Sequence, residues 1–317
     1  MWQPPNFRAM MARALAVALS VWAAKLGVQA TVEHRPSQRG SFSVRRDTVD
    51  WTDSITTRAV IWSPIGNERD LPAIVFSPGF GQVPANYSVL LAALARHGYV
   101  VIGVEHPHFK DPDSIELYDV AAALARQLAS TLDHILAERD QRGSPFARLD
   151  PTRIGVLGHS VGGGAAALAC SLDERWRAGM DLDGTIFGSV VHTGIRQPFF
   201  LVRQHFILTG SIADPPRFLE QHDQASLHED SVFTHSRTMY WLTVDHLDHM
   251  SFTDAALSAG RMQRVQEMAG LQLSAARAQE ITLRFARDFF ASYLSGAPRA
   301  VSLDKSPYTG TRLKWKR

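Results

Sequence analysis

The sequence contains, between residues 153 and 164, the stretch Arg153-Ile-Gly-Val-Leu-Gly158-His159-Ser160-Val161-Gly162-Gly163-Gly164. A short apolar run leads into a serine between glycines, and a small-residue segment from Ala165 to Leu172 follows. This order predicts a strand, a sharp turn and a helix. Glycines on both sides leave room for a tight backbone, so the Ser160 hydroxyl would stand exposed at the apex. Ser160 is therefore the candidate nucleophile, and a plain strand-to-helix turn is the alternative interpretation.

The composition restricts the class of protein. The chain has 317 residues, of which 45% are hydrophobic, and a formal net charge of +2. These values are typical of a globular protein with one large α/β domain or two small ones, and they offer no basic face for nucleic acid. The single cysteine, Cys170, cannot form an internal disulfide, and we expect a buried thiol in the helix after the serine.

Residues 1–30 have the three parts of a secretory signal. Arg8 and Arg13 precede an apolar run from Ala14 to Ala24, and Val28-Gln-Ala30 supplies small residues for cleavage. The apolar run is too short to span a bilayer comfortably. We therefore expect export to the periplasm or out of the cell; if residues 1–30 are retained as an N-terminal helix, the protein is cytoplasmic.

Strand and helix patterns alternate along the rest of the chain. Continuous apolar runs predict buried strands at 99–104, 154–157, 178–182, 198–202 and 238–244, and helical stripes predict helices at 86–97, 114–138 and 281–293. This alternation predicts a doubly wound, mostly parallel sheet with helices on both faces, in a single domain over residues 31–317.

Less regular segments give three further expectations. Residues 57–62 and 73–76 read as two strands of a hairpin, after a polar lead-in with an edge strand at 41–45. Residues 238–244 read as the last clear strand. Residues 203–237 are rich in His, Asp and Pro, and we expect an irregular excursion or a lid there.

The loop Ser77-Pro-Gly79-Phe80-Gly81 follows an early strand. In α/β-hydrolases such a loop supplies one N–H of the oxyanion hole, and the residue after the nucleophile supplies the other. Phe80 and Val161 are the candidate donors, with an ordinary Pro-Gly turn as the alternative for the loop.

A second candidate position is Glu105-His106-Pro-His108, which lies at the carboxyl end of a strand, where open α/β sheets place their sites. His106 could line a pocket and a role for His108 is also open, but two histidines beside a proline are more often loop residues.

A serine hydroxyl needs a base to activate it and an acid to orient that base. The order expected along the chain is serine, then acid, then histidine in a late loop. His246 and His249 both satisfy it, and position favours His249 because His246 is almost on the strand end.

For the acid, Asp183 follows the strand after the Ser160 turn and could project toward the base, whereas Asp181 lies deeper on that strand. Asp245 and Asp248 are the alternatives. Any one of these acids could instead be a solvated loop charge or a helix cap.

Several linked motifs occur in one order between Asp47 and Phe252, with a short extension to Asp254. They are Phe76-Ser-Pro-Gly-Phe-Gly81, His97-Gly-Tyr-Val-Val, Glu105-His106, Gly158-His-Ser-Val-Gly-Gly163, Ala178-Gly-Met-Asp-Leu-Asp183-Gly184 and His249-Met-Ser-Phe-Thr-Asp254. In these motifs the chain resembles the α/β-hydrolase family that contains the plasma-type platelet-activating-factor acetylhydrolases and their bacterial relatives. The resemblance maps the family's acid onto Asp183 and its base onto His249.

The resemblance implies a serine ester hydrolase that needs no metal or organic cofactor. Its substrate would be a small-molecule or lipid ester with a short or oxidised acyl group, and a lipid substrate would entail transient contact with a membrane surface. Pro78 and Val161 differ from the animal enzymes, so the acyl pocket has its own shape. A general carboxylesterase or lipase, and a non-catalytic ligand-binding relative, are the alternative functions.

Overall fold

The computed structural model describes residues 41–52, 56–106, 117–205, 227–258 and 260–317. The predicted signal in residues 1–30 lies outside these ranges, as do His108 and residues 206–226 of the predicted excursion. Within the described ranges, no helix is both long and apolar enough to cross a membrane.

One sheet runs through the described part of the chain. Its strands are β1 (Val44–Thr52), β2 (Thr56–Pro64), β3 (Leu71–Ser77), β4 (Val100–Glu105), β5 (Leu149–His159), β6 (Gly179–Leu182), β7 (Phe199–His205), β8 (Met239–Asp245) and β9 (Thr311–Lys316). Their order across the sheet is β1-β2-β4-β3-β5-β6-β7-β8-β9. The strands from β4 to β8 in this order pair in parallel, whereas β1, β2 and β9 are antiparallel to their neighbours. The predicted mostly parallel sheet is thus confirmed.

Helices cover both faces of this sheet. They are α1 (Ser88–Arg96), α2 (Leu117–Glu138), α3 (Val161–Leu172), α4 (Val190–Thr193), α5 (residues 227–235), α6 (Arg261–Met268) and α7 (Ala275–Leu294). Helices α2 and α3 share a core with Val75 and Val156, and helices α1 and α7 share a core with Ile74 and Leu157. Successive residues of a strand point to opposite faces, which is why residues 71–76 of β3 and 154–157 of β5 are apolar on both faces. The doubly wound α/β class is confirmed.

The predicted hairpin between residues 57–62 and 73–76 is wrong. Strand β2 pairs with β1 and β4, while β3 lies between β4 and β5. The hairpin partner of β2 is β1, which extends from Val44 to Thr52 through the segment expected to be a polar lead-in. As an edge strand with one largely exposed face, β1 needs few apolar residues and so carries a weak sequence signal.

Residues 238–244, the last clear strand in the sequence, are followed by one more strand of the sheet. Beyond α7, residues 311–316 form β9, which pairs antiparallel with β8 and closes that edge. Arg312 and Lys314 are exposed on this strand. Charged side chains on an edge strand discourage pairing with other chains. They also interrupt the apolar run by which the strand could have been predicted.

This topology positions the candidate site residues. Ser160, Asp183 and His249 follow the carboxyl ends of β5, β6 and β8. Because β5 to β8 are parallel, these ends meet at one edge of the sheet, where α/β folds place their sites.

Candidate active site

Ser160 lies at the apex of a sharp turn between β5 and α3. Its backbone has φ 56° and ψ −128°, a conformation that residues other than glycine rarely adopt. The predicted strand, turn and helix are all present. The strain is held in place by buried structure on both sides, because β5 is a central strand and α3 is buried along most of its length.

The glycines beside Ser160 are required by close backbone contacts. A Cβ atom on Gly158 would lie 2.0 Å from the backbone oxygen of Gly162. A Cβ atom on Gly162 would lie 2.3 Å from the backbone oxygen of Ser77 and 2.5 Å from that of Pro78. These contacts pack the turn against the loop that begins at Ser77.

His249 is the hydrogen-bond partner of the Ser160 hydroxyl. Its Nε2 atom lies 3.0 Å from Ser160 Oγ. His249 begins a single turn of 3₁₀ helix that ends at Phe252, and Asp248 caps this turn by accepting the backbone N–H of Met250 at 2.9 Å. Asp248, one of the alternative acids, therefore serves as the cap that fixes the backbone of the histidine.

Asp183 contacts the other side of the same imidazole. His249 Nδ1 lies 2.7 Å from Asp183 Oδ2, and Asp183 Oδ1 accepts the backbone N–H of Gln204 at 3.0 Å. Only 5% of the Asp183 side chain is exposed, so both oxygens point into the protein. The structure thus brings Ser160, His249 and Asp183 into one hydrogen-bonded chain, and their catalytic roles stay predictions.

The pKa values of His249 and Asp183 are shifted in opposite directions. Desolvation lowers the pKa of His249, but the hydrogen bond and the charge of Asp183 outweigh it, and the net shift is upward. For Asp183, burial raises the pKa, but the hydrogen bond from His249 outweighs this effect, and the net shift is downward. The arrangement therefore favours an ionised Asp183 beside an imidazole that takes up a proton readily.

The other candidate residues have different partners. His246 has φ 59° at the end of β8, and its backbone oxygen accepts the N–H of Leu273 at 2.7 Å. Asp245 forms an ion pair with Arg312 at 3.0 Å, on the side of the edge strand β9. Neither residue is the hydrogen-bond partner of Ser160 or of the His249 ring.

Asp181 belongs to a buried ion-pair cluster that the sequence did not reveal. Arg203 Nη2 lies 2.8 Å from Asp181 Oδ2, and Arg203 Nε also pairs with Glu229. Arg203 lies on β7 and Glu229 on α5, so residues that were expected to be irregular instead support the sheet beside Asp183.

The loop from Ser77 to Gly81 lies against the Ser160 turn, as the oxyanion-hole prediction requires. A Cβ atom on Gly79 would lie 3.3 Å from Ser160 Cβ. Val161 is the first residue of α3, where a backbone N–H has no carbonyl partner within the helix. Phe80 and Val161 remain the predicted donors.

His106 supports this loop rather than acting as a free loop residue. Its Nε2 atom lies 2.7 Å from Ser77 Oγ, and its Nδ1 atom lies 2.7 Å from Gln127 Oε1. Burial lowers the pKa of His106 to about 4, so the ring is neutral at physiological pH. Ser77 is fully buried, so this second serine and histidine pair faces the core.

Two residues beside the serine were overlooked in the sequence. In the sequence, Tyr87 is only one member of the apolar stripe of a helix, and His159 occupies a position that the serine pattern leaves unspecified. In the structure, Tyr87 Oη lies 2.7 Å from His159 Nδ1. A buried polar pair 72 residues apart leaves no local pattern that could have revealed it. Cys170, by contrast, is buried in α3 as expected.

Two protein-family models match the chain. The model described as PET hydrolase-like matches residues 22–184, which is a little over half of the chain. The model described as platelet-activating factor acetylhydrolase, isoform II, matches residues 146–297. The second match confirms the resemblance that the motifs indicated.

Curated relatives are similar over shorter stretches. A probable 1-alkyl-2-acetylglycerophosphocholine esterase from Arthroderma benhamiae is 29% identical over 41% of this chain and 35% of its own length. The platelet-activating factor acetylhydrolase of Canis lupus familiaris is 27% identical over 47% of this chain and 43% of its own length. Cutinase est1 of Thermobifida alba is 33% identical over 35% of this chain and 34% of its own length. The matches therefore span about a third to under half of these relatives.

A solved structure shares the fold. The ferulic acid esterase from Streptomyces cinnamoneus aligns with a TM-score of 0.64 and 23% identity, over 86% of this chain and 96% of that one. The likeness extends to nearly the whole of that protein, and it identifies the architecture as an α/β-hydrolase fold.

Proposed function

Since the chain belongs to the PET hydrolase-like family of α/β-hydrolases and also matches the platelet-activating factor acetylhydrolase isoform II family, we propose that it is a serine ester hydrolase. The observation that carries the proposal is the hydrogen-bonded chain from Ser160 Oγ through His249 to Asp183. A ligand-binding relative without activity would have no need to keep a strained serine in contact with a base.

The proposed reaction has two acyl-transfer steps. Ser160 Oγ attacks the ester carbonyl while His249 Nε2 takes its proton, and Asp183 stabilises the imidazolium. The N–H groups of Phe80 and Val161 hold the oxyanion, and His249 then gives its proton to the departing alcohol. Water attacks the acyl-enzyme by the same route, which releases the acid and restores the serine. No step in this scheme calls for a metal or an organic cofactor.

For the substrate, we propose short-chain or oxidised acyl groups on phospholipid-like esters. The isoform II model is the one whose match includes Ser160, Asp183 and His249, whereas the PET hydrolase-like match ends at residue 184. Asp183 also follows β6, the next strand along the chain after the Ser160 turn, which is the place that the family resemblance implies for the acid. The similarity to a cutinase supports a general carboxylesterase as the second candidate.

A phospholipid-like substrate has consequences for where the protein acts. Contact with a membrane surface during turnover, and export guided by residues 1–30, are parts of this proposal. The small net charge gives no support to a nucleic-acid partner, and none is part of the proposal.

A fluorophosphonate probe tests the reaction. We expect the wild type to be labelled and Ser160→Ala not to be labelled. Ser171→Ala is the matched control, because Ser171 lies on α3 and donates to the backbone oxygen of Leu168 at 2.8 Å, away from His249. Folded wild type that resists the probe and hydrolyses no ester would favour the ligand-binding alternative.

A panel of esters tests the substrate class. The panel contains phospholipids with acetyl and with long sn-2 chains, and p-nitrophenyl esters of rising chain length. We expect the highest kcat/KM among the phospholipids for the acetyl group. Equal or better rates on p-nitrophenyl esters with long chains would instead support the general carboxylesterase.

A further inference from the structure

His159, the residue before Ser160, is buried at the centre of the candidate site. Only 1% of its surface is exposed, and its ring lies 4.7 Å from the ring of His249 and 5.2 Å from that of Phe252. Its Nε2 atom lies 2.9 Å from the backbone oxygen of His249, and its Nδ1 atom lies 2.7 Å from the Tyr87 hydroxyl. A position that the serine pattern leaves unspecified thus contacts both the predicted base and a second loop.

The donors of this network follow from chemistry. A carbonyl oxygen only accepts, so His159 Nε2 carries the hydrogen that it shares with His249. Nδ1 of a neutral imidazole is then an acceptor, and the Tyr87 O–H donates to it. The Tyr87 oxygen in turn accepts the backbone N–H of Gly79 at 3.3 Å. The hydrogen bonds therefore run from the Gly79 N–H through Tyr87 and His159 to the backbone of His249.

Both side chains are held neutral by their surroundings. Burial, and next the charge of His249, lower the pKa of His159 to about 3. Burial also raises the pKa of Tyr87, so its hydroxyl keeps its proton. A neutral His159 suits the proposed mechanism, because a second cation beside a protonated His249 would oppose proton uptake.

Tyr87 is a rigid anchor for this network. It is fully buried, and its ring packs 4.8 Å from the ring of Phe76 on β3. It also directly precedes α1, and the backbone N–H of Val89 in the first turn of α1 donates to Asp254 at 3.1 Å. Buried rings in close packing lose little further freedom when they form a hydrogen bond.

We infer that His159 and Tyr87 are positioning residues. They fix the 3₁₀ turn that begins at His249 and the loop from Ser77 to Gly81 relative to each other, next to Ser160. The inference rests on the proposed function. The Nε2 side of His159 fixes the backbone from which the His249 ring projects. The Nδ1 side reaches Gly79 through Tyr87, next to the predicted donor Phe80. We assign no proton transfer to either residue.

Three variants of His159 separate the two sides of the network. His159→Gln places an amide near the Nε2 position and can still donate to His249. His159→Asn places an amide near the Nδ1 position and keeps only the link to Tyr87. His159→Phe keeps an aromatic ring and loses both hydrogen bonds. Tyr87→Phe then removes the hydroxyl alone and leaves the packing on Phe76.

Steady-state hydrolysis of p-nitrophenyl acetate is the readout, with a thermal unfolding curve for each variant. We expect His159→Phe to lower kcat about 100-fold, the order expected for a displacement of about 1 Å, with KM within about threefold. His159→Gln should recover most of this loss, and His159→Asn should recover less. Tyr87→Phe should lower kcat about tenfold, because one of the two connections remains.

Tyr240→Phe is the matched control. Tyr240 is also fully buried, and its hydroxyl lies 2.7 Å from that of Tyr293; it lies near the start of β8, whereas His249 follows the carboxyl end of that strand. It should lower the unfolding midpoint about as much as Tyr87→Phe does and leave kcat unchanged. If kcat in the Tyr87 and His159 variants follows only the unfolding midpoint, or if His159→Phe keeps the wild-type kcat, the positioning role is overturned.

A second measurement does not depend on turnover. Nitrogen NMR of Ser160→Ala protein with labelled histidines should show His159 as a neutral ring with its hydrogen on Nε2 from pH 5 to pH 8. A ring with its hydrogen on Nδ1 would overturn the network even in an active enzyme. A wild type that hydrolyses no ester would overturn the proposed function, and the positioning role with it.

Discussion

His249 Nδ1 donates to Asp183 Oδ2 at 2.7 Å, although the two residues are 66 positions apart in the chain. The contact joins the end of β6 to the loop after β8, and its acceptor is almost fully buried. A carboxylate in this place fixes which nitrogen of the imidazole is protonated, and it raises the pKa of that ring. The pair therefore sets both the geometry and the protonation of the proposed base.

Asp183→Asn should lower kcat about 10⁴-fold, because the amide neither stabilises an imidazolium nor selects the correct tautomer. The pKa of His249 should fall when the charge is removed, since that charge is among the causes that raise it. The acid limb of kcat/KM against pH should accordingly move to lower pH. An unmoved limb with kcat within tenfold of the wild type would contradict the assignment of the acid.

His249→Ala should lower kcat at least about 10⁴-fold, because it removes the imidazole that is hydrogen-bonded to the Ser160 hydroxyl. His246→Asn is the control, since asparagine tolerates the positive φ of residue 246. We expect it to stay within about threefold of the wild type in ester hydrolysis. The reverse result, with His246→Asn inactive and His249→Ala active, would make His246 the base.

Arg203→Met should lower the free energy of unfolding by about 3–5 kcal/mol, because it leaves the carboxylates of Asp181 and Glu229 buried without their cation. Adding Asp181→Asn and Glu229→Gln should recover part of that loss. Urea unfolding measures both effects. Arg196→Met breaks an ion pair with Glu174 whose side chains are 87% and 81% exposed, and should change the free energy by at most about 0.5 kcal/mol. Equal effects of the two arginine variants would count against the buried cluster.

Asp254 should make the stability depend on pH. Burial raises its pKa from 3.8 to about 6, although the backbone N–H of Val89 at 3.1 Å and that of Ser88 partly offset the effect. The folded state holds this proton more tightly than the unfolded chain, so the carboxyl group favours folding most below pH 3.8 and least above about pH 6.

Asp254→Asn keeps an oxygen that can accept from Val89 but does not titrate. The free energy of unfolding of the wild type should therefore fall relative to this variant as pH rises from 3.8 to about 6. The fall has an upper bound of about 3 kcal/mol. Urea unfolding of both proteins over this range measures it, and a constant difference between them would show that Asp254 has an ordinary pKa.

Gly162→Ala should disturb the proposed oxyanion hole. The added methyl group would lie 2.3 Å from the backbone oxygen of Ser77, so the loop that carries Phe80 must move. We expect kcat/KM for ester hydrolysis to fall about 100-fold. Gly260→Ala is the control, because a Cβ atom there meets nothing within 4 Å. Full activity in Gly162→Ala would show that this loop does not take part in the reaction.

The central strands were predictable because burial on both faces of a parallel strand demands an unbroken apolar run. Strands β4 and β8 lie within one residue of their predicted bounds, whereas β5 begins five residues before its predicted apolar run, in a polar segment that starts at Leu149. The edge strands β1 and β9 are half exposed and partly charged, so the same reasoning missed β9 and misjudged the partner of β2. Which strands pair at an edge depends on contacts between distant parts of the chain.

The sequence by itself determined the position of the Ser160 turn, because a Cβ atom on Gly158 would meet the backbone of Gly162, only four positions further along the chain. It also reduced the base to His246 or His249 and placed Asp183 first among four acids. Only the tertiary structure shows which of these histidines lies within hydrogen-bond distance of Ser160, and only it revealed His159, Tyr87 and Arg203 as partners of the site. The direction of a side chain from a loop, and the partner of a buried polar group, depend on packing between segments that are far apart in the chain.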